Sequence, residues 1–488
     1  MVKNQSKSLG INAALNAIRS GLSVIFPLIT YPYAFRILHA ENIGRVNYAL
    51  SIIGYFSLIA ALGISTYAVR EGAKLRNEKV RLNKFCNQIF TINIVTSIIS
   101  YILLLFCICN IKALGEYKQL ILLLSLSVGF STLGVEWINT IYEDFLYVTV
   151  RSIVIYILTL VLLFILVRDQ NDVLQYALLS VANSGLICIS NWFYCKRYIR
   201  VRLTKKLEIK KHIKPVLTIF ANSVATTIYV NADITMLGLF SGDYYVGLYS
   251  IAVKIYNVIK TMLAAVYSVA VPRISFFIGQ NDKSKVKQVF TSVCTALTII
   301  LLPAGVGLAT ISREVVIVMG GTEYLDSVLT LQILSFSLIG AIFGGMFTYC
   351  LNIPLGREKV NVKATTISAM VNIGLNMVMI PIFKQNGAAL TTAVAEFFVL
   401  IYCCFSCKDI EEYLDIKAFK SDLLQSLIGC VIIIIVSSIV KYYWKGVLLR
   451  IVLVISLSVM LYGLELVLLK NELMLQLLEK LRNLNKLK

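Results

Sequence analysis

The chain has 488 residues, 58% of them hydrophobic and 15% charged, with a mean hydropathy of +0.80. A soluble globular protein is ~45–50% apolar and ~25% charged, so this composition places the chain in a bilayer. The net charge of +20 does not point to nucleic acid. Its basic residues sit in short clusters between apolar runs, as the positive-inside rule requires of cytoplasmic loops.

The opening stretch, 1–35, has a basic start but no short apolar core followed by a small-residue cleavage site, and reads as a retained first helix. A spanning helix needs ~20 mostly apolar residues, and about fourteen such runs follow one another. The first six lie near 11–35, 45–69, 86–108, 119–140, 147–167 and 173–194. The next six lie near 214–238, 247–271, 289–311, 327–350, 361–383 and 387–406, and two more near 422–440 and 447–469. In the first run Arg19 has Asn12 and Asn16 on its helix face. Pro27 and Pro32 follow and are expected to bend or break that helix.

Alternate loops are strongly basic: 70–84, 195–214 and 281–287, with the tail from 470 in the same set. The loops between them ("NIKALGEYK", "RDQND", "SGDYYVG", "KQNG") carry few positive charges. The named basic segments hold 23 lysines and arginines against four in the others, so both termini are predicted cytoplasmic. Segment 312–326 reads as a short surface helix on the other side. The tail, with leucines at helical spacing, is expected to lie along the membrane surface.

A faint internal repeat overlays "ENIGRVNYALSI" (41–52) on "YYVGLYSIAVKI" (244–255), matching Gly44 with Gly247. The organisation read from these features is a first six-helix half (1–195), a basic linker (196–213), a second six-helix half (214–406), and two added helices with a tail (407–488).

There is no GxxxxGK[ST] loop for an ATP-driven step, and no HExxH or GxSxG. The outer loops are too short for the catalytic groups of a membrane glycosyltransferase or polymerase, so an enzyme is the weaker class. The eleven cysteines lie mostly in apolar runs and read as packing residues. Cys404 and Cys407 have CxxC spacing but no second pair. The two histidines, His39 and His212, fall at segment ends.

Polar groups inside spans are expensive and therefore candidate functional residues. The seventh span carries Asn222, Asn231 and Asp233; the alternatives are a coupling-ion site, or helix-packing hydrogen bonds and an ion pair. Glu396 is a similar but weaker candidate, and Glu465 lies near a helix end. In the eighth span Lys254 comes ~10 Å and Lys260 ~20 Å below its outer end. A lysine stem reaches ~6 Å, so neither snorkels out easily. The two point roughly 120° apart, with Asn257 between them. That arc suits the wall of a wet cavity, with ion pairing as the alternative.

Four stretches in order, "FPLITYPYAFRILHAENIGRVNYALSIIGYFSLIAALGISTYAVREGAK", "EWINTIYEDFLYVTVRS", "GLYSIAVKIYNVIK…VPRIS" and "NIGLNMVMIPIFKQNGAALTTAVAE", resemble bacterial polysaccharide flippases. These are the O-antigen and capsule repeat-unit transporters of the multidrug/oligosaccharidyl-lipid/polysaccharide exporter superfamily. The resemblance implies an all-α polytopic fold of two six-helix bundles facing a central cavity that opens alternately to each side. It implies an oligosaccharide on undecaprenyl pyrophosphate as cargo, a cationic cavity in which Arg19, Lys254 and Lys260 hold the pyrophosphate, and Arg36 and Arg45 guiding the headgroup at the outer rim. It also implies a bacterial inner or plasma membrane location, no cofactor beyond coupling to H+ or Na+, and membrane lipids, a polysaccharide polymerase and other assembly proteins as partners. His39 stands where glycine is frequent. A drug or cation antiporter of the same superfamily, and a membrane enzyme of polysaccharide assembly, are the alternatives.

Overall fold

In hydrocarbon every backbone N–H and C=O must be satisfied within the protein, so long apolar runs fold as helices. The computed structural model describes residues 9–407, 409–476 and 478–479, and the side chains of all of these except 9–20, 23–25 and 222. Arg19, Asn12, Asn16 and Asn222, as side chains, and the end of the tail therefore lie outside the described residues. Among the described residues there is no strand. Among the described residues twelve helices are long and apolar enough to cross a membrane, and the chain is a multi-pass membrane protein.

Contacts divide it into two units, Met1–Gly247 and Leu248–Lys488. The first holds α1 (Leu9–Ala61), α2 (Ile64–Lys74), α3 (Lys79–Asn110), α4 (Lys112–Gly115), α5 (Lys118–Leu133), α6 (Trp137–Ile141), α7 (Phe145–Leu166), α8 (Val173–Cys195), α9 (Ile209–Ser241) and the start of α10 (Asp243–Ser268). The second holds the rest of α10, then α11 (Val271–Gly279), α12 (Lys283–Thr310), α13 (Ser312–Gly320), α14 (Val328–Met346), α15 (Glu358–Phe405), α16 (Ile410–Tyr413), α17 (Ile416–Tyr443) and α18 (Val447–Leu468). Asp282 and Asp415 cap α12 and α17, accepting hydrogen bonds from backbone N–H groups of the first turn. Ile102 and Phe106 on α3, and Val154 and Ile157 on α7, stay exposed, as lipid-facing side chains do.

At 53 residues, α1 would run ~80 Å at 1.5 Å per residue, far beyond a ~30 Å hydrocarbon core. It contains both prolines, yet its non-helical residue is His39, at φ 64° and ψ 169°. That conformation is essentially reserved for glycine. The 48-residue α15 breaks in the same manner at Lys384 (φ 52°, ψ −129°).

The internal repeat is visible in the backbone. The shift that brings Gly44 onto Gly247 also brings His39 onto Gly242, and Gly242 has φ 93° and ψ 173°. The two glycines are reciprocal. A Cβ on Gly44 would lie 1.8 Å from the Asp243 carbonyl oxygen, and one on Gly247 would lie 1.9 Å from that of Ala40. Only glycine permits this approach of two backbones. Asp243, the first residue of α10, accepts hydrogen bonds at 2.8 Å from the Tyr117 hydroxyl on both carboxylate oxygens. Tyr117 in turn packs on Tyr48, with ring centroids 4.8 Å apart.

In the first unit, Ile64, Phe85, Ile138, Ile141 and Cys195 form an apolar core. His212 belongs to the same region: its Nδ1 lies 2.9 Å from the Tyr67 hydroxyl and its Nε2 lies 3.0 Å from Gln88 Oε1. It is a hydrogen-bonded core residue.

In the second unit, segment 312–326 is helical as expected, but it is not wholly on the surface. Glu314 is 2% exposed and meets Lys441 Nζ at 3.3 Å and Arg450 Nη1 at 3.4 Å. A buried carboxylate requires such partners. Here they fasten α13 to the end of α17 and the start of α18, beside Ile311, Val436, Val440 and Val454.

Candidate functional site

The spacing of α10 puts Tyr256 and Lys260 one turn apart on one face, and both meet α15. The Lys260 ammonium lies 2.6 Å from Glu396 Oε1, and the Tyr256 hydroxyl donates to the same oxygen at 3.3 Å. Two candidates 136 positions apart in sequence are thus brought together. The carboxylate side chain is 10% exposed, while the lysine keeps 34% of its surface open. Glycine makes room at this point: a Cβ on Gly340 of α14 would lie 2.8 Å from the Glu396 carbonyl carbon. One turn and a half before Lys260, Lys254 is half-buried, and Asn257 between them is exposed. Lys260 is thus ion-paired, one of the alternatives that its sequence position left open.

In the first unit, α9 packs its polar residues against the second half of α1. Asn231 Nδ2 donates to Thr227 O at 3.0 Å and sits against Gly54, whose Cβ would be 3.0 Å away. Thr235 Oγ1 lies 2.9 Å from Ser51 Oγ and 3.1 Å from the Tyr55 hydroxyl. Asp233 is buried, at 6% exposure. Arg36 and Arg45 are exposed, and Arg45 Nε lies 4.0 Å from Asp243.

Sequence reasoning missed a buried polar network in the "EWINTIYEDFLYVTVRS" stretch. Arg151, 7% exposed, donates to Glu136 at 2.5 Å and to Asn191 at 3.1 Å. Asn139 also donates to Asn191, whose own amide donates to Gly134 O. The available signal was an arginine just inside an apolar run with a glutamate 15 positions before it.

Comparison with known proteins follows the same lines. The model of the family described as polysaccharide biosynthesis protein matches residues 9–278. Capsular polysaccharide biosynthesis protein CapF of Staphylococcus aureus is 26% identical over 376 residues, 74% of this chain and 89% of that protein. Among solved structures, lipid II flippase MurJ in an inward closed conformation superposes with a TM-score of 0.79 at 16% identity, covering 94% of this chain and 99% of that one. An inward-facing multidrug resistance MATE transporter gives 0.58 at 15% identity, covering 81% and 99%. At such identities the structures show a shared fold and no more. The chain therefore belongs to the polysaccharide biosynthesis protein family and has the fold of these transporters.

Proposed function

We propose that the chain is a flippase that carries an oligosaccharide on undecaprenyl pyrophosphate from the cytoplasmic to the outer leaflet by alternating access. The observation that carries this reading is Lys260, an ammonium on a helix apolar enough to cross a membrane, paired with Glu396 beside Tyr256 and 34% exposed. A pyrophosphate cannot leave water without compensating charge. It can take the place of Glu396 on Lys260, and the returning carboxylate then displaces it. A tight cationic clamp without a competitor would hold the anion and stop turnover. The names of CapF and MurJ, one in capsule synthesis and one a lipid flippase, support the cargo class. Taking α1 and α15 as two crossings each, split at His39 and Lys384, gives fourteen crossings with both termini cytoplasmic. Glu396 and Asp233 are the candidate sites for a coupling H+ or Na+.

The second reading is a drug or cation antiporter, favoured by the buried carboxylates Asp233 and Glu396 and by the MATE fold. One variant separates the two. In cells that depend on this chain, Lys254→Ala is expected to lower surface polysaccharide at least tenfold while membrane-inserted protein stays constant. Lipid-linked oligosaccharide then accumulates inside. Undiminished polysaccharide, with lost resistance to cationic drugs, would favour the antiporter.

A further inference from the structure

Two adjoining cavities, of 240 and 700 Å3, open within the first unit and share Ser65, Glu136 and Trp137 in their walls. They lie at the end of α1, the first turns of α2, the end of α5 and the middle of α8, with Arg70, the first residue of the basic segment 70–84, in one wall. Their combined space falls within the ~300–1,000 Å3 of small-molecule sites.

The chemistry of the walls is specific. Among the described residues, no hydrogen bond engages the hydroxyls of Ser57, Ser65, Thr66 or Ser131. Each offers one donor and two acceptor lone pairs, and Ser65, Thr66 and Ser131 are exposed in these walls, where water or a ligand can meet them. Glu136 adds an acceptor held in place by Arg151 at 2.5 Å. Trp137, 5% exposed, lines both spaces and donates its indole N–H to no protein group among the described residues. The charges at the rim are matched: Arg151 answers Glu136, and Arg70 answers Glu71 at 3.0 Å. An anion would meet a carboxylate here and no unpaired cation, and a lipid tail would meet hydroxyls. A neutral polyhydroxylated ring fits these hydrogen-bonding groups.

We propose that this cavity binds the sugar moiety of the cargo, apart from the lysines of α10, and so sets which glycan is accepted. The proposal rests on the flippase reading. For the test, the full chain is placed in nanodiscs with Trp192→Phe and Trp444→Phe, leaving Trp137 as the only fluorophore of its kind. It is titrated with undecaprenyl pyrophosphate and with the sugar-bearing lipid extracted from cells lacking the flippase, and native mass spectrometry measures the affinity of each. The expected result is that only the sugar-bearing lipid changes Trp137 emission. Ser65→Ala with Ser131→Ala then weakens that lipid about tenfold, from the loss of two hydrogen bonds, and leaves the sugar-free lipid unchanged. No emission change, or equal affinities untouched by the double variant, would overturn the sugar site while the flippase reading stands. Failure of both lipids to bind would overturn both.

Discussion

Lys260→Met is expected to abolish surface polysaccharide, and adding Glu396→Leu is expected to restore inserted protein without restoring the polysaccharide. The single variant leaves a carboxylate at 10% exposure without its cation, and breaking a buried pair in this way costs ~3–5 kcal/mol. Replacing both partners by apolar groups of similar volume is close to neutral, so the double variant separates folding from transport. Were the Lys260–Glu396 pair purely structural, with neither group used for cargo or coupling, the double variant would transport normally. A third variant tests the competition directly. Glu396→Gln keeps Lys260 but removes the negative charge, and it is expected to bind undecaprenyl pyrophosphate more tightly and release it more slowly. Membrane-fraction immunoblots, thermal melting and polysaccharide quantification distinguish these outcomes.

The second large effect concerns the reciprocal glycines. Gly44→Ala and Gly247→Ala each put a methyl group within 2 Å of a facing carbonyl oxygen, which neither backbone can accept without moving. Overpacking of this kind costs ~1–3 kcal/mol and sometimes more. Each variant is expected to lose at least tenfold in surface polysaccharide, whereas Gly374→Ala, with nothing within 4 Å of its Cβ, is expected to be silent. Equal behaviour of the three would show that the close approach of the starts of α10 and the second half of α1 has no part in function.

Much of the fold was legible because lipid imposes one backbone solution, so long apolar runs translate into helices. Where the helices break was less legible. The prolines at 27 and 32 drew attention, but a helix tolerates them when its neighbours supply packing, and the break fell at His39, a residue with no intrinsic preference for its conformation. The shifted repeat, which sets His39 against Gly242, carried that information. The site was legible as a set of costly residues, not as an arrangement. Lys260 and Glu396 were each visible as charges inside apolar runs, but their pairing depends on how α10 meets α15, which no local pattern encodes. Glu314 was read as a surface residue because its partners, Lys441 and Arg450, lie more than a hundred positions later. The cavity of hydroxyls in the first unit escaped entirely, since serine and threonine are common in membrane helices and nothing in their spacing marks them as unpaired.

The central claim is that the chain moves a sugar-bearing pyrophosphate lipid across a bilayer. Liposomes holding that lipid in both leaflets, with and without the purified chain, are treated from outside with membrane-impermeant periodate, which oxidises only exposed sugars. In protein-free liposomes only the outer-leaflet share should react. With the chain present the protected share should disappear, and Lys260→Met with Glu396→Leu should bring it back. Protection that persists with the wild-type chain, under the ion gradients that H+ or Na+ coupling would need, would contradict the account.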